Sequence, residues 1–389
     1  MVQLRVLTLN CWGLPLSSLS PHRDERFKYL AEALRQSDYD IIGLQEVWLI
    51  KNYEALKVAL KAVFPHSHYF YSGKIGSGKC IFSRFPIVAT SFTAYTLSGY
   101  PYALNHGDWL GKKGVGFCKI DVNGTILNVY LTHIHAEYNR DNDVYLPHRV
   151  TEIVQLSQLI RFTAGNSPVI LIGDLNFEPE DIGYRFITTS LDLKDAWLEA
   201  GDGQMSGFTC AAKTNSFTPA NEIEKRIDYI LYSGDHLKSQ ACQVTLGRIP
   251  DAAFNYSDHE GVEATFQLNA RRLRQRQDMS GDPTETMQVL QETHAILDDN
   301  VKIANFRHFH RCLLVVLSLA LAILSGIINY HSSDNEWIKL AVIVACPLFF
   351  TIAMTMFLYG FLFDEDEIRG MKAYMCDLEV WMANINGNV

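Results

Sequence analysis

Closely spaced cysteines and an excess of positive charge are both missing from this sequence. The eight cysteines among its 389 residues lie far apart and form no Cys-x-x-Cys pair. This excludes a disulfide-stabilised scaffold and a zinc-binding framework, and it indicates a reducing compartment. The 34 Lys and Arg residues are outnumbered by 43 Asp and Glu residues. The net charge of −9 argues against a broad basic face, so nucleic acid is not an expected partner.

Charged residues are also missing from two long stretches near the C-terminus. Residues 312–330 and 340–363 carry no formal charge. As helices they would be roughly 28 and 36 Å long, enough to cross a hydrocarbon core of about 30 Å. The short link between them predicts a two-helix transmembrane hairpin over 311–363, with two buried helices of a soluble core as the alternative.

The charges around these stretches predict their orientation. Arg307 and Arg311 precede the first stretch, whereas Lys339 is the only Lys or Arg of the connecting loop. The positive-inside rule therefore places both termini in the cytosol. The N-terminal residues alternate as a strand does and do not resemble a signal peptide. The expected protein is a multi-pass protein of the endoplasmic reticulum, nuclear envelope or plasma membrane.

Residues 1–268 show alternating strand and helix patterns, which predict an α/β (α+β) sandwich of two sheets flanked by helices. A helix is expected to begin at Pro21 with Ser20 as its N-cap. No internal repeat is evident. The other predicted helices cover 52–63 and 146–162, and the predicted strands cover 4–10, 40–45, 78–84, 87–95, 114–121, 126–132, 168–173, 227–232 and 261–268.

The remaining segments predict a membrane-proximal organisation. Residues 269–310 are expected to form a linker and a juxtamembrane helix. The linker contains a basic run over 271–276 that could contact anionic lipids. Residues 364–389 form an amphipathic cytosolic tail, whose apolar stripe would pack either on the membrane or on the catalytic domain.

Polar residues gather where the predicted apolar strands begin or end. Taken singly, each is typical of a turn cap or a satisfied structural group. Together they include two histidines and several carboxylates, which favours a catalytic site. The residues are Asn10, Glu46, His133, Asp174, Asn176, Asp228, Asp258 and His259.

The motifs around these residues resemble the endonuclease/exonuclease/phosphatase superfamily, which has the deoxyribonuclease-I-like fold. The segments LNCWG, LQEVW, TH, GDLN, RIDY and SDH occur in that order across 1–268. The stretches 100–116 and 132–139 are similar to the neutral sphingomyelinases, and the two apolar runs resemble the membrane-anchored animal members. The resemblance implies a four-layer sandwich that hydrolyses sphingomyelin to ceramide and phosphocholine with Mg²⁺, and choline lysophospholipids such as lyso-platelet-activating factor as second substrates.

Hydrolysis of an anionic phosphodiester requires charge neutralisation and an activated water. Glu46 is the expected Mg²⁺ ligand, and Asn10 would support the metal or a phosphate oxygen. His259 is expected to act as general base, with Asp174 orienting its ring. Asn176 would donate to a phosphate oxygen.

The remaining polar residues have less defined expected roles. His133 would donate to the phosphate or assist the departing ceramide oxygen. Asp228 would support that second histidine, and Asp258 would be a metal-side ligand or an orienting group. His135, which shares a strand face with His133, is interpreted as a structural neighbour because His133 occupies the family's Thr-His position.

A glycine-rich loop carries Asp108 and Lys113, five residues apart. They could be an exposed ion pair of little energetic weight. The resemblance implies instead a pair beside the catalytic site that switches it on and takes part in substrate binding, with Lys112 as the competing lysine. Tyr102 and Trp109, with Tyr95 and Tyr100, could form an aromatic surface for choline or belong to the core.

Several rival interpretations remain. Residues 73–79 have the spacing of a nucleotide-binding loop, but Cys80 follows where Ser or Thr is needed, so a hairpin turn is predicted. A nuclease of the same fold would share the site but would need a basic surface. An inositol-phosphate phosphatase would show additional Lys and Arg in its substrate loops. A non-catalytic membrane scaffold would have lost some of the site residues.

Overall fold

Two six-stranded sheets form the centre of the N-terminal part of the chain. The computed structural model describes residues 2–73, 75–103, 106–200, 207–234, 236–269, 281–331 and 335–387. The first sheet consists of β1 (Val2–Asn10), β2 (Ile41–Gln45), β3 (His66–Phe70), β4 (Lys79–Ser83), β11 (Leu237–Thr245) and β12 (Gly261–Leu268). Its strands lie in the order β11-β12-β1-β2-β4-β3.

The second sheet has the same number of strands. It consists of β5 (Ile87–Ala94), β6 (Gly114–Val122), β7 (Thr125–His133), β8 (Val169–Asp174), β9 (Leu193–Asp195) and β10 (Asp228–Ser233). Its strands lie in the order β5-β6-β7-β8-β10-β9. The basic run over 271–276 lies outside the described residues.

Each sheet contains one parallel strand pair, and the carboxyl ends of these pairs position the polar residues. β1 is parallel to β2 and β7 to β8, whereas the other paired strands are antiparallel. Asn10 pairs with Gln45 at the end of the first pair, and His133 pairs with Asp174 at the end of the second. Each parallel pair is connected through a helix, α1 (Arg23–Gln36) or α4 (Leu146–Thr163).

The two sheets pack face to face through aliphatic side chains. Val6 and Ile41 of the first sheet and Leu131 and Ile172 of the second belong to one buried cluster. Gly43 of β2 is required at this interface, because a Cβ atom there would lie 2.4 Å from Cδ1 of Ile172. The absent side chain lets the second sheet approach closely.

Helices cover the outer faces of both sheets. α1 and α2 (Ile50–Leu60) pack on the first sheet through a second cluster that includes Phe27, Leu30 and Leu56. α4 lies over β7, where Asn128 donates to the carbonyl of Ala164 (2.8 Å) and Tyr130 bonds to Thr163 (2.7 Å). The predicted helix–sheet–sheet–helix sandwich is confirmed.

Several helices and strands differ from those that the sequence patterns predicted. Six elements were not predicted. They are the strands β3, β9 and β11 and the helices α3 (Asp108–Gly111), α5 (Ile182–Leu191) and α6 (Ala196–Ala200). The predicted cap of α1 is wrong, because the hydroxyl of Ser20 donates to the carbonyl of Trp12 (2.5 Å) and the helix begins at Arg23. β3 and β4 are consecutive antiparallel strands, and Lys79 is the first residue of β4, so the hairpin prediction is confirmed.

The chain divides into two compact units, Met1–Thr293 and His294–Val389. The second contains most of α7 (Pro283–His331), followed by α8 (Glu336–Leu358), a π-helical turn (Tyr359–Asp364) and α9 (Glu365–Ile385). α7 is one continuous helix, because residues 284–325 contain neither Gly nor Pro. Both long helical segments, Pro283–His331 and Glu336–Ile385, are long and apolar enough to cross a membrane.

The C-terminal helix packs on a partner that the sequence interpretation did not name. Within the second unit, Glu379 of α9 lies 3.1 Å from His294 of α7. Asp364 lies 2.9 Å from Arg307 and 2.6 Å from Arg311. The apolar stripe of α9, including Met371 and Leu378, is buried. Within this unit the tail therefore packs along α7, and the predicted packing on the membrane or on the catalytic domain stays a prediction.

Candidate active site

Two strand ends present their site residues from an unusual backbone conformation. Glu46 follows β2 with φ 56°, and Asn176 follows β8 with φ 49°. A left-handed backbone is unfavourable for residues other than glycine by about 1–2 kcal/mol, so tertiary contacts must hold it. The carbonyl of Glu46 accepts from the amide of Gly13 (3.0 Å). A Cβ atom at position 13 would lie 2.4 Å from this carbonyl oxygen, so the approach requires glycine.

Asn10 connects the two halves of the site. Its Nδ2 atom donates to Oε1 of Glu46 and to Oδ2 of Asp174, both at 3.1 Å. Its Oδ1 atom accepts from the amide of Trp12 (3.1 Å), which determines how the amide is oriented. Asn10 therefore presents donors to the two carboxylates. Its predicted role as a metal ligand stays a prediction, because the contact with Trp12 uses only one of the two lone pairs of Oδ1.

Asp228 holds the ring of His259. The His259 Nδ1 atom lies 2.8 Å from Oδ2 of Asp228, and both side chains are buried. Burial alone would lower the pKa of His259, but interactions with Cys210 and Asp228 raise it well above its ordinary value. The predicted pairing of His259 with Asp174 is wrong, because the antiparallel register sets Asp228 opposite Asp174 and it is Asp228 that bonds the ring.

Lys113 holds the second histidine. Its Nζ atom lies 2.9 Å from Nε2 of His133, 2.9 Å from the carbonyl of Ile134 and 2.7 Å from Oδ1 of Asp108. These three acceptors use all three protons of a lysine ammonium. Lys113 is buried, unlike the exposed Lys112. In this arrangement Lys113 contacts His133 directly and has no proton left for a substrate, contrary to its predicted role in substrate binding.

The surroundings of His133 favour its neutral form. Burial and the charges of Lys113 and Lys79 lower its pKa well below the ordinary value. Because Nε2 accepts from Lys113, it carries no proton to give toward Asp174, whose Oδ2 atom lies 3.5 Å away. The predicted role of His133 as a proton donor does not fit this tautomer. Asp228, expected beside His133, instead bonds to His259.

Asp108 is the centre of a second buried cluster. Its carboxylate accepts from Tyr138 (2.5 Å) and lies 3.7 Å from Nε2 of His135. Burial would raise its pKa, but the charges of Lys113 and His135 lower it to about 2. The simple interpretation of Asp108 and Lys113 as an exposed ion pair is therefore wrong. His135 contacts the Asp108 carboxylate through its ring, which sequence spacing did not predict.

The other predicted residues occupy different surroundings. Asp258 accepts from the hydroxyl of Ser257 (3.2 Å), and burial together with the charge of Glu46 raises its pKa to about 6. Asn176 donates from Nδ2 to the carbonyl of Ile134 (3.0 Å). Tyr102 and Trp109 are exposed, whereas Tyr95 is buried and bonds to Thr132 (2.5 Å). Tyr95 therefore cannot belong to the predicted aromatic surface.

The site contains groups that could hold a cation. Ligand atoms of Asp174, Asp228 and His259 lie within 4.8 Å of one another. Two of these groups are already joined by the bond between His259 and Asp228. Glu46 and Asp174, which share the Asn10 donor, are therefore the better candidates as carboxylate ligands.

Two buried arginines support the site but were not predicted. Arg26 of α1 donates to the carbonyls of Cys11 (2.8 Å) and Tyr256 (2.9 Å), which joins the loop after Asn10 to the loop before His259. Arg149 of α4 donates to the carbonyl of Asn176 (2.6 Å). The sequence signal that could have identified them is an arginine on the apolar face of each predicted helix. An arginine is rarely buried unless it has polar partners, so such a position indicates a structural role.

The sequence is similar to those of known protein families. The model of the Endonuclease/Exonuclease/phosphatase family matches residues 7–259. Sphingomyelin phosphodiesterase 2 of Homo sapiens is 34% identical over 97% of this chain and 91% of that protein. The putative neutral sphingomyelinase of Caenorhabditis elegans is 40% identical over 69% of this chain and 68% of that protein.

A solved structure supports the fold. Sphingomyelinase C from Streptomyces griseocarneus matches with a TM-score of 0.54 and 18% identity, over 68% of this chain and 99% of that chain. The chain therefore belongs to the endonuclease/exonuclease/phosphatase family and, within it, to the neutral sphingomyelinases, a group of hydrolases.

Proposed function

We propose that this protein hydrolyses sphingomyelin to ceramide and phosphocholine in a Mg²⁺-dependent reaction. The observation that supports it most is the convergence of two carboxylates at the carboxyl ends of β2 and β8, Glu46 and Asp174, with the Asp228–His259 pair at the starts of β10 and β12. The substrate is inferred from the names of the relatives, sphingomyelin phosphodiesterase 2 and neutral sphingomyelinase.

His259 is the proposed general base. Its Nδ1–H donates to Asp228, which leaves Nε2 to accept a proton from the attacking water. The Asp228 carboxylate stabilises the imidazolium that forms after this transfer. The loss of a proton from water then produces the nucleophile that attacks phosphorus in line with the departing ceramide oxygen.

A second set of side chains is proposed to stabilise negative charge on the phosphate. These are Lys113, His133 and Asn176. The Lys113 ammonium is fixed among three protein acceptors, so its positive charge is preorganised in a buried site. His133 lies between this cation and Asp174 and fixes their separation. Asn176 would donate its second amide proton to a phosphate oxygen.

The donor set fits a hard divalent cation. Burial and the charge of Asp228 raise the pKa of Asp174 to about 7, and burial with the charge of Glu46 raises that of Asp258 to about 6. Carboxylates that disfavour one another's ionisation are stabilised by a cation. Mg²⁺ would be held by Glu46 with Asp174 or Asp258, oriented by Asn10. When bound, it would neutralise charge on the phosphodiester.

Choline recognition is proposed for the exposed rings of Tyr102 and Trp109, because aromatic faces attract quaternary ammonium groups. The same recognition would admit choline lysophospholipids such as lyso-platelet-activating factor. An inositol headgroup would instead require additional cations near the site. Measuring headgroup release from choline, ethanolamine and inositol lipids in parallel would separate these substrates.

The proposed topology is a cytosolic catalytic domain, residues 1–268, anchored by the two long apolar helices. Buried Asn255, whose Nδ2 donates to Glu260 (3.2 Å), is a poor acceptor for a glycan, although it lies in the sequon Asn-Tyr-Ser. Protease protection of sealed microsomes should show residues 1–268 exposed on the cytosolic side. A protected domain, or a glycan on Asn255, would contradict the topology. Fluorescence microscopy of the tagged full chain would distinguish endoplasmic reticulum, nuclear envelope and plasma membrane.

The activity is tested with the purified full chain in sphingomyelin-containing mixed micelles. We expect phosphocholine release with Mg²⁺ and none after chelation by EDTA. Glu46→Gln should lower kcat by about 10²-fold or more, while the exposed control Glu54→Gln retains activity. Activity that persists in EDTA would remove the proposed role of the metal. Hydrolysis of DNA in place of sphingomyelin would favour the nuclease alternative.

A further inference from the structure

An ordered loop after β1 exposes two leucines. Leu16 is 62% exposed and Leu19 is 56% exposed, and the amide of Leu19 donates to the carbonyl of Leu16 (3.0 Å). The buried Arg23 holds the loop, because it donates to the carbonyls of Leu14 (2.8 Å) and Pro15 (2.7 Å). Residues 11–20 contain no charged side chain. A loop held in this way presents apolar surface to solvent, which marks an interaction site.

A second exposed apolar group lies on the loop after β3 and on the short helix α3. Tyr71 is 70% exposed, and Ile75, Trp109 and Leu110 are each 38% exposed. The two segments contact each other, since the hydroxyl of Ser72 donates to the carbonyl of Lys112 (3.1 Å). The two segments that carry the second group are therefore neighbours in the fold, and the exposed Lys112 lies beside them.

Both groups are connected to the Glu46 carboxylate, through different oxygen atoms. The leucine loop continues from Asn10, whose Nδ2 donates to Oε1 of Glu46 (3.1 Å). The second group rests on the ring of Trp48, which Gly111 contacts closely. The indole nitrogen of Trp48 lies 3.4 Å from Oε2 of Glu46. Two exposed apolar edges of the same unit are thus linked to one carboxylate of the candidate site.

We infer that these edges insert into the interfacial region of a lipid bilayer and hold the site at the level of the headgroups. Two further features of the chain favour a bilayer over a protein partner. The same chain carries two helices long and apolar enough to span a membrane. In addition, Trp, Tyr and Leu beside a lysine are the residues that suit the membrane interface.

The inference deepens the proposed function, since insertion would bring the lipid phosphodiester to Glu46, and it rests on that function for its substrate. The insertion itself does not depend on catalysis. A depth measurement can therefore fail or succeed independently of the activity assay.

The first experiment uses the full chain in proteoliposomes. Leu16→Ser/Leu19→Ser should turn over sphingomyelin in the bilayer about tenfold more slowly than the parent chain, because two apolar anchors are lost. Turnover of a water-soluble short-chain sphingomyelin analogue should change less than about twofold. Phe162→Ser removes a control side chain that is 77% exposed on α4, and it should leave both rates unchanged. Equal losses on both substrates would overturn the inference.

The second experiment measures depth directly. Leu19→Trp and Phe162→Trp chains, both also carrying Glu46→Gln, are compared in vesicles whose phospholipids are brominated in the upper acyl chain. Relative to the Glu46→Gln parent, the fluorescence added by the Leu19→Trp change should be quenched, and that added by the Phe162→Trp change should not. Equal quenching at both positions would contradict insertion. Concentration-dependent association of the chain without quenching would assign the surface to a second copy instead.

Discussion

The Lys113 ammonium lies 2.9 Å from Nε2 of His133 and 2.7 Å from Oδ1 of Asp108. It therefore joins a carboxylate of the glycine-rich loop to a histidine at the end of β7. All three side chains are buried. A buried charge without its partner is strongly destabilising, so this connection links the folding of the loop to the arrangement of the site.

Lys113→Ala should reduce both activity and stability. It leaves the Asp108 carboxylate buried without its closest cation, which we expect to lower the free energy of unfolding by about 3–5 kcal/mol. Turnover should fall by about 10²-fold or more, because the preorganised charge beside His133 is lost. Chemical denaturation and phosphocholine release measure the two effects.

Lys112 provides the matched control for this change. It is exposed, so Lys112→Ala should cost less than about 1 kcal/mol. The double variant Asp108→Asn/Lys113→Ala should regain part of the lost stability without regaining activity. A larger effect at Lys112 than at Lys113 would show that the wrong lysine has been assigned.

Asp228→Asn should shift the acid limb of the pH–rate profile. Asp228 helps to raise the pKa of His259 above its ordinary value, so its removal should lower that pKa. The base would then lose its proton at lower pH, and the acid limb should move toward lower pH. The maximal rate should fall by about 10²–10⁴-fold, because the ring is no longer oriented.

The comparison for this prediction is Asp174→Asn. Asp174 is the orienting residue that sequence reasoning selected, but it makes no direct hydrogen bond to His259 among those of the described residues. Its replacement should shift the acid limb less than Asp228→Asn does. The reverse order, measured as kcat/KM against pH, would restore Asp174 as the orienting residue.

Arg149→Met should disturb the loop that carries Asn176. The guanidinium donates to the Asn176 carbonyl (2.6 Å), pairs with Asp143 and lies 4.4 Å from the centre of the Phe177 ring. Its loss should lower turnover about tenfold, because Asn176 is misplaced. The stability loss should be about 1–3 kcal/mol, because the Asn176 carbonyl loses a charged donor and the partly buried Asp143 loses its cation.

Two control variants test whether Arg149 acts by positioning. Arg149→Lys keeps the charge but not the planar fork of donors, so it should be intermediate in stability and still reduced in kcat with KM nearly unchanged. Arg35→Met, on the exposed surface of α1, should match the parent chain. An Arg149→Met enzyme with normal kcat would contradict the positioning role.

Glu152 should make the protein less stable as the pH rises. Burial raises the pKa of this carboxyl to about 8, from an ordinary value of 4.5. Between these values the folded state retains a proton that the unfolded state releases. This group therefore lowers the free energy of unfolding by up to about 1.4 kcal/mol per pH unit across that window.

Glu152→Gln removes this dependence, because glutamine stays neutral. The variant should gain stability relative to the parent chain as pH rises from 5 toward 8, measured as the difference in Tm at each pH. The exposed control Glu54→Gln should show no such trend. A difference in Tm that stays constant with pH would contradict the assignment.

Sequence patterns located most of the sandwich strands because they are apolar runs bounded by polar residues, as β8 illustrates between Pro168 and Asp174. The patterns missed β11, which alternates between buried and exposed residues only irregularly, and the three-residue β9. The start of α1 was misplaced because a Ser-Pro pair also occurs in a turn. In this structure the Ser20 hydroxyl donates to the carbonyl of Trp12 in the loop and does not cap the helix.

The residues of the candidate site were identifiable from the sequence, but several of their pairings were not. Asp174 and Asp228 each lie at a strand end, and either could have oriented His259 by spacing alone. The antiparallel register of β8 and β10 determined that Asp228 bonds the ring. Likewise, adjacent Lys112 and Lys113 differ only in that the chain turns one outward and buries the other.

From the sequence alone follow the family, the polar residues at the strand ends and the two membrane-length helices, because motif order, apolar periodicity and run length are properties of the chain itself. Only the tertiary structure determined that Asp228 orients His259, that Lys113 is saturated by protein acceptors and that Asn10 faces the carboxylates with its nitrogen. Each of these depends on distances between residues far apart in the chain, which the packing of the two sheets sets.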